Sequence, residues 1–210
     1  MILKWMRCTV EAADRAAFHE AQQAWRTLAG LPGFRIQVGG WNSQNPAEAC
    51  ILGVWADQAA YESFMQHHHD RIADTSGQAT TYRAITVTFL DVLGQTGEPA
   101  ALAGAACLHI AHSVLYPGRE THFREAQRTV WLPGMQGAGM VAGLFGMAQS
   151  AEGAPVYLTV SAWPTAAHFH DYLADHFTPL RQQAHLETDT ASRTATLICL
   201  EPLWTVTPNT

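Results

Sequence analysis

Charge is scarce in this sequence. Only 14% of its 210 residues are Asp, Glu, Lys or Arg, and the formal net charge is −6, whereas about a quarter of residues are charged in a typical globular protein. The chain carries no run of Lys and Arg, so it lacks the basic surface that binds nucleic acid or an anionic membrane. A surface with so little charge favours a protein that buries part of that surface by pairing or oligomerising, and we expect a homo-oligomer of the whole chain.

Long apolar runs and paired cysteines are missing too. A membrane-spanning helix needs about 18 consecutive apolar residues, and the alanine-rich stretch 100–108 is too short. Lys4 and Arg7 interrupt the apolar start of the chain, so it does not have the pattern of a signal peptide. The cysteines show no Cys-x-x-Cys spacing; they are Cys8, Cys50, Cys107 and Cys199. We therefore expect reduced cysteines in a cytoplasmic protein.

What is present is an alternation of strand-like and helix-like segments. In the second of these strands, apolar residues alternate with Arg35 and Gln37, which predicts that these two point away from the apolar face. Asp57 is suited to cap the second helix. The predicted order is βαββαβ, with strands at 2–10, 34–41, 49–55 and 80–93, one helix at 12–28 and a second after Asp57.

The same pattern restarts in the second half of the chain. Phe18-His-Glu-Ala-Gln22 matches Phe123-Arg-Glu-Ala-Gln127, and Trp55 matches Trp163. Further matches pair Tyr61 with Phe169, Phe64 with Tyr172, His68 with His176, Ile72 with Leu180 and Arg83 with Arg193. We therefore predict two copies of one unit, with a first domain at 1–94, a linker at 95–106 and a second domain at 107–210.

The βαββαβ order, with a Trp closing the third strand and an aromatic helix after it, resembles the dimeric α+β barrel superfamily of antibiotic-biosynthesis-monooxygenase-like proteins. The opening Met-Ile-Leu-Lys-Trp-Met-Arg-Cys-Thr-Val and the segments Pro-Gly-Phe-x-x-Gln-Val-Gly-Gly-Trp and Glu-Ala-Cys-Ile-Leu also resemble its uncharacterised bacterial YdbC-like family. The resemblance implies an α+β fold in which two tandem ferredoxin-like βαββαβ units pack sheet to sheet as an intrachain dimeric α+β barrel.

Three polar positions recur in both copies: Gln22 with Gln127, His68 with His176, and Arg83 with Arg193. One interpretation is that these are core groups satisfied by neighbouring partners, since an unpaired one costs about 1–3 kcal/mol. The other is a pocket for a small hydrophobic molecule, with His68 and His176 as catalytic acid or base. Its lining residues would be Gln22, Trp25, Trp55, Tyr61, Phe64, Met65 and Arg83 in the first copy, and Gln127, Trp163, Phe169, Tyr172 and Arg193 in the second.

Neither a metal nor a cofactor is predicted. The triplet His67-His68-His69 cannot grip one ion, because successive helical residues point about 100° apart. Haem-degrading members of the superfamily use an Asn in the first strand, a Trp in the second helix and a His ten residues after it. Neither first strand has an Asn, Phe64 and Tyr172 replace the Trp, and Asp74 and Gln182 replace the His. Haem binding through His68 or His176 is the weaker alternative.

The resemblance implies a cofactor-independent monooxygenase that acts on a small hydrophobic or aromatic substrate. Such a substrate would react with oxygen as its enolate or phenolate in a dry cavity. One alternative is a non-catalytic protein that binds a small hydrophobic ligand or takes part in a stress response. Another is a protein whose cavities are filled by side chains and which functions through its surface.

Overall fold

A computed structural model describes residues 1–149 and 154–209. The first half of the chain has the predicted order βαββαβ, although its second helix is interrupted by a π-helical turn, Met65–His69. Segments of 3-10 helix precede and follow the regular helices at Ala12–Asp14, Gln23–Gly30 and Gln78–Thr80. The elements are β1 (Ile2–Thr9), α1 (Arg15–Gln22), β2 (Phe34–Asn42), β3 (Glu48–Trp55), α2 (Gln58–Phe64), α3 (Asp70–Ser76) and β4 (Ala84–Thr96).

The second half repeats this order after the 3-10 segment Pro99–Gly104. Both of its main helices contain a π-helical turn, at Gln127–Trp131 and at Tyr172–His176, and a 3-10 turn, Pro202–Trp204, follows the last strand. The elements are β5 (Cys107–Leu115), α4 (Glu120–Ala126), α5 (Leu132–Gly137), β6 (Ala142–Gln149), β7 (Pro155–Trp163), α6 (Ala166–Asp171), α7 (Phe177–Gln183), α8 (Leu186–Asp189) and β8 (Thr190–Leu200).

The chain forms two compact units. Unit 1 comprises Met1–Phe89 and the chain from Ile198 onward, and unit 2 comprises Leu90–Leu197. The strand order is β4-β1-β3-β2 in unit 1 and β8-β5-β7-β6 in unit 2. The later part of β4 pairs with β6 in unit 2, and the end of β8 pairs with β2 in unit 1. These compact units therefore differ from the domains predicted from the sequence repeat, whose boundaries remain a prediction.

The register of β2 differs from the predicted alternation. A bulge at Arg35 shifts the pairing with β3, so that Phe34 lies opposite Trp55 and Ile36 lies opposite Val54. The bulge adds one residue to β2 and reverses which face the following side chains occupy. Gln37 therefore shares the face of Phe34, and the prediction that it points away from that face is wrong.

Helix caps and aromatic side chains hold the helices of each unit on one face of its sheet. Asp57 caps α2 as predicted, because its Oδ1 accepts a hydrogen bond of 2.8 Å from the backbone N–H of Ala60. The corresponding cap of α6 is Thr165, whose Oγ1 accepts from the backbone N–H of His168.

None of the helices in the described ranges combines the length and the apolar composition that crossing a membrane requires.

Candidate functional site

Unit 1 contains a cavity of about 390 Å³ between its helices and its sheet. Sites for small molecules commonly have volumes of about 300–1,000 Å³ and mainly apolar walls. Alternate residues of β4 form an apolar rim that is 41–44% exposed, made by Ile85, Val87 and Phe89. The aromatic part of the wall consists of Trp25, Trp55, Tyr61, Phe64, Tyr82 and Phe89.

Most of the residues predicted to line a pocket in the first copy lie around this cavity, namely Gln22, Trp25, Trp55, Tyr61, Phe64 and Met65. Arg83 does not, and its predicted place in the pocket is wrong. Its guanidinium Nε donates a hydrogen bond of 2.7 Å to Glu11 Oε1 and lies in an exposed ion-pair cluster with Asp14. The position precedes β4, and a solvated ion pair avoids the cost of burying an arginine.

His69, rather than His68, lines the cavity. In a regular α-helix the fourth residue after Phe64, which is His68, would point within about 40° of Phe64. The π-helical turn Met65–His69 absorbs one extra residue, so the fifth residue takes this direction. The His69 ring lies 5.6 Å from the rings of Trp25 and Phe64, and its Nδ1 lies 2.8 Å from Asp70 Oδ1. The inward orientation predicted for His68 is therefore wrong.

The same insertion changes the second unit. His176 is exposed, because the π-helical turn Tyr172–His176 rotates it away from the inner face. Phe177 takes the position that corresponds to His69. The Phe177 ring packs 5.8 Å from Trp131 and 6.2 Å from Tyr172. The predicted inward orientation of His176 is therefore also wrong, and an apolar ring replaces an imidazole at this position.

Lys4 is a charged residue of the cavity that was not predicted to lie there. It is the only lysine in the sequence, and it projects from β1 into the cavity. Among the described residues, no carboxylate or hydrogen-bond acceptor contacts its ammonium group, and its nearest aromatic partner is Tyr61, whose ring centroid lies 5.3 Å from Nζ. Burial lowers the pKa of Lys4 to about 8, an effect that the nearby Cys8 opposes. An unpaired amine with a lowered pKa in a cleft is a candidate functional group. Its signal in the sequence is a lysine inside an apolar strand.

A chain of side-chain hydrogen bonds positions Gln22 at the opposite wall. Trp25 Nε1 donates to Gln78 Oε1 at 2.7 Å, and Gln78 Nε2 donates to Gln22 Oε1 at 2.6 Å. The carboxamide oxygen of Gln22 is thus occupied, while its side-chain N–H groups have no partner among the described residues. Gln22 is therefore partly a satisfied core residue and partly a donor available at the cavity.

Unit 2 has only a remnant of this cavity, about 30 Å³ in volume, which is space for very few water molecules. Gln127, Tyr172 and Arg193 line it as predicted. Trp163 and Phe169 do not line it, because both are buried in the packed core beside it. Of these two equivalent cavities, the one in unit 1 is therefore the one with room for a ligand.

His109 occupies in unit 2 the place that Lys4 has in unit 1. Lys4 pairs with Gly53 on the adjacent strand, and His109 pairs with Ser161. Burial, assisted by Arg193, lowers the pKa of His109 to about 4. Its ring stacks on Phe169 at 4.8 Å. A neutral, stacked imidazole thus replaces the unpaired ammonium group.

Sequence comparison identifies the family. Residues 2–90 match the family described as "Domain of unknown function (DUF4937)". Over 90 residues the chain is 39% identical to the uncharacterized protein YdbC of Bacillus subtilis (strain 168). The aligned region covers 42% of this chain and 76% of that protein. The chain belongs to this YdbC-like family. Its DUF4937 match, at 2–90, includes every residue that lines the large cavity.

Solved structures resemble this YdbC-like protein over nearly its whole length. A protein from Lactobacillus acidophilus NCFM that is provisionally assigned as a monooxygenase gives a TM-score of 0.76 at 11% identity, over 98% of this chain and 95% of that one. A similarly assigned protein from Fusobacterium nucleatum gives 0.75 at 10% identity, over 98% and 94%. An anthrone oxidase-like protein gives 0.65 at 11% identity, over 95% and 91%. The predicted fold class, α+β with two tandem ferredoxin-like units, is confirmed.

Proposed function

We propose that unit 1 binds a small planar aromatic molecule and that the protein oxidises it with molecular oxygen, without a metal or an organic cofactor. The observation that carries this proposal is the cavity of about 390 Å³, which has aromatic walls and a single unpaired amine. The names of the similar structures, two of them provisional monooxygenases and one anthrone oxidase-like, support the same class of reaction.

The reaction needs no reductant besides the substrate. Loss of a proton from a ring CH₂ group, or from its phenol tautomer, gives an electron-rich anion. The anion transfers electrons to O₂, and a carbon–oxygen bond forms to give a hydroperoxide. Elimination of water then leaves a carbonyl group, so that CH₂ and O₂ become C=O and H₂O. One oxygen atom enters the product and the other leaves as water.

Lys4 is the residue we assign to the first step. An amine with a pKa of about 8 exists in both protonation states near neutral pH, so it can accept the substrate proton and then stabilise the anion as an ammonium group. His69 is the histidine at the cavity, and it replaces His68 in the role of a second proton acceptor. The aromatic walls exclude water around the anion.

Non-catalytic binding of a hydrophobic ligand is the second candidate. The observation that favours it is the composition of the wall, since no Asp or Glu of the described chain lines the cavity. Lys4 would then serve only to hold an anionic group of the ligand.

Oxygen uptake separates the two. We expect the metal-free protein, supplied in air with hydroxynaphthalenes and anthrone-type compounds, to consume oxygen and to form a quinone absorbance. Replacing Met65, which lines the cavity, with Trp should fill the space and abolish uptake. The matched control is Leu173→Trp, since Leu173 is the corresponding residue in unit 2 and is exposed.

Two outcomes of this experiment would count against oxidation inside the cavity. Tight binding of these compounds by the native protein without any oxygen uptake would favour the non-catalytic function. Equal uptake in the native protein and the Met65→Trp variant would place the reaction outside the cavity and contradict the proposal.

A further inference from the structure

Three residues on adjacent strands form one row across the floor of the cavity. Gly53, in β3, lies between Lys4 on β1 and Gln37 on β2. Directly opposed residues of antiparallel strands project from the same face, and all three line the cavity. The glycine leaves a gap, because a methyl group built on Gly53 would come no closer than 3.9 Å to Trp55 Nε1 and 4.0 Å to Lys4 Cβ.

Hydrogen-bond donors without acceptors surround this gap. The Lys4 ammonium group has no acceptor within the described chain. Gln37 is 4% exposed, and its side-chain Nε2 is buried without a hydrogen-bond partner. Its backbone is fixed by two hydrogen bonds to Val206, of 2.9 and 2.8 Å. The indole N–H of Trp55, beside the gap, has no partner among the described residues either. A buried donor without an acceptor costs about 1–3 kcal/mol, so the buried Nε2 of Gln37, with two further unpaired donors beside the same gap, indicates a missing acceptor.

Unit 2 contains an acceptor at this place. Ser161 pairs with His109 and Gly143, and so takes the position of Gly53. Its Oγ accepts a hydrogen bond of 3.0 Å from Trp163 Nε1, and Trp163 corresponds to Trp55. The hydroxyl oxygen of Ser161 therefore satisfies within the protein the donor that its counterpart in unit 1 leaves unsatisfied.

Unit 2 also lacks the space. Gly143 stands where unit 1 has Gln37, and a methyl group built on it would come within 2.8 Å of Leu132 and Met140. A side chain of α5 and one of the loop before β6 thus pack against the sheet at this point. The gap and the unpaired indole donor occur together in unit 1, whereas the described equivalent row of unit 2 has neither.

We infer that the gap above Gly53 receives an anionic oxygen of the ligand, a carboxylate or phenolate oxygen on an aromatic ring, with Lys4, Gln37 and Trp55 as its donors. The inference rests on the proposed aromatic ligand and specifies its chemistry. The aromatic ring lies against the apolar wall, while the charged oxygen lies at the sheet. Neutral hydrocarbons of the same size leave all three donors unpaired, so the site discriminates against them.

Binding without oxygen tests this inference separately from catalysis. We expect 2-naphthoate to bind the native protein under nitrogen at least about tenfold more tightly than neutral 2-naphthamide, by isothermal titration calorimetry, as the gain of one charge-assisted hydrogen bond implies. Lys4→Met should remove this preference. Because Lys4 is the only lysine, 13C labelling of lysine gives one side-chain signal, and 2-naphthoate should raise the pKa that this signal reports.

Gly53→Ser is the second variant. It places a hydroxyl group where unit 2 has Ser161, so it should occupy the gap and weaken 2-naphthoate binding at least about tenfold without unfolding the chain. Gly104→Ser is its control, since a side chain there meets nothing within 4 Å. Circular dichroism melts verify that each variant folds.

Equal affinity for the two probes, or an unchanged Lys4 signal on binding of 2-naphthoate, would overturn the inference. A preference that survives in Lys4→Met would do the same. Failure to find an oxidised product would leave the binding result standing, and would count against the proposed reaction alone.

Discussion

At the scale of residues, burial of the Lys4 ammonium group lowers the stability of the folded chain. This group lies in an apolar cavity, and burial lowers its pKa to about 8. Apolar replacement of a buried unpaired charge usually stabilises a protein, and functional residues are where such replacements have not occurred. We therefore propose that Lys4 is retained for ligand binding rather than for folding.

The pH dependence of stability tests this view of Lys4. An unfolded chain holds the lysine proton up to about pH 10.4, whereas the folded chain releases it near pH 8. The free energy of unfolding should therefore rise with pH across this window. We expect Lys4→Met to be more stable than the native protein at pH 7, and its advantage to shrink between about pH 8 and pH 10.4.

Urea unfolding at several pH values measures this difference. A Lys4→Met advantage that is constant from pH 7 to pH 10 would contradict the lowered pKa. Arg7→Met serves as a control for loss of a positive charge from β1, since the guanidinium group of Arg7 is about half exposed and lies 3.8 Å from Glu48.

At the scale of elements, inserted residues decide which side chains reach the cavity. Phe64 and Ile72 are both buried, although eight residues of regular α-helix would turn them about 80° apart. The π-helical turn between them absorbs one residue and brings both onto one face. The bulge at Arg35 has the same effect on β2, where it turns Gln37 inward.

Deleting Gln66, an exposed residue of this turn, should restore regular helix geometry. Seven residues of regular helix would still hold Ile72 within about 20° of Phe64, and His69, then the fourth residue after Phe64, would still face the cavity. We therefore expect the deletion to change the free energy of unfolding by no more than about 0.5 kcal/mol and to keep the affinity for 2-naphthoate. Inserting an alanine after Gln66 would instead turn Ile72 about 100° away from the core and should cost about 2–5 kcal/mol, as in removal of a large aliphatic side chain. Equal stability of the deletion and insertion variants would contradict this account of the turn.

These insertions also mark how far the sequence could be interpreted. The apolar strands, the cap at Asp57 and the βαββαβ order follow from local pattern, and the internal repeat correctly predicted that this order recurs in the second half. A one-residue insertion in a helix or strand carries no local signal, since its cause is packing of residues distant in sequence. Two predictions were wrong for this reason. His68 was expected at the cavity, where His69 lies instead, and Gln37 was expected to point outward but lines the cavity.

At the scale of the whole molecule, the segment after β8 completes the first unit. Trp204 is fully buried, with its ring 5.5 Å from Phe18 and 5.3 Å from Trp41. Val206 pairs with Gln37 through two backbone hydrogen bonds. The cavity-forming unit thus depends on residues from both halves of the sequence, which a repeat-based division at residue 94 would separate.

Trp204→Ala should therefore destabilise the chain by about 3–5 kcal/mol, the usual cost of removing a buried tryptophan. Leu203→Ala, at a neighbouring position that is 60% exposed, should change stability by no more than about 0.5 kcal/mol. Thermal unfolding of the full chain measures both. Equal melting temperatures for the two variants would show that Trp204 does not support unit 1.

The filled interior of unit 2 has a consequence for the number of ligand molecules that each chain binds. Duplication ordinarily produces a bivalent receptor, in which occupancy of one half can alter the other. Here the interior of unit 2 holds only about 30 Å³ of space among the described residues, so we expect the two interiors together to take up one ligand per chain. Saturation should follow a simple hyperbola with one equivalent of ligand per chain and a Hill coefficient of about one.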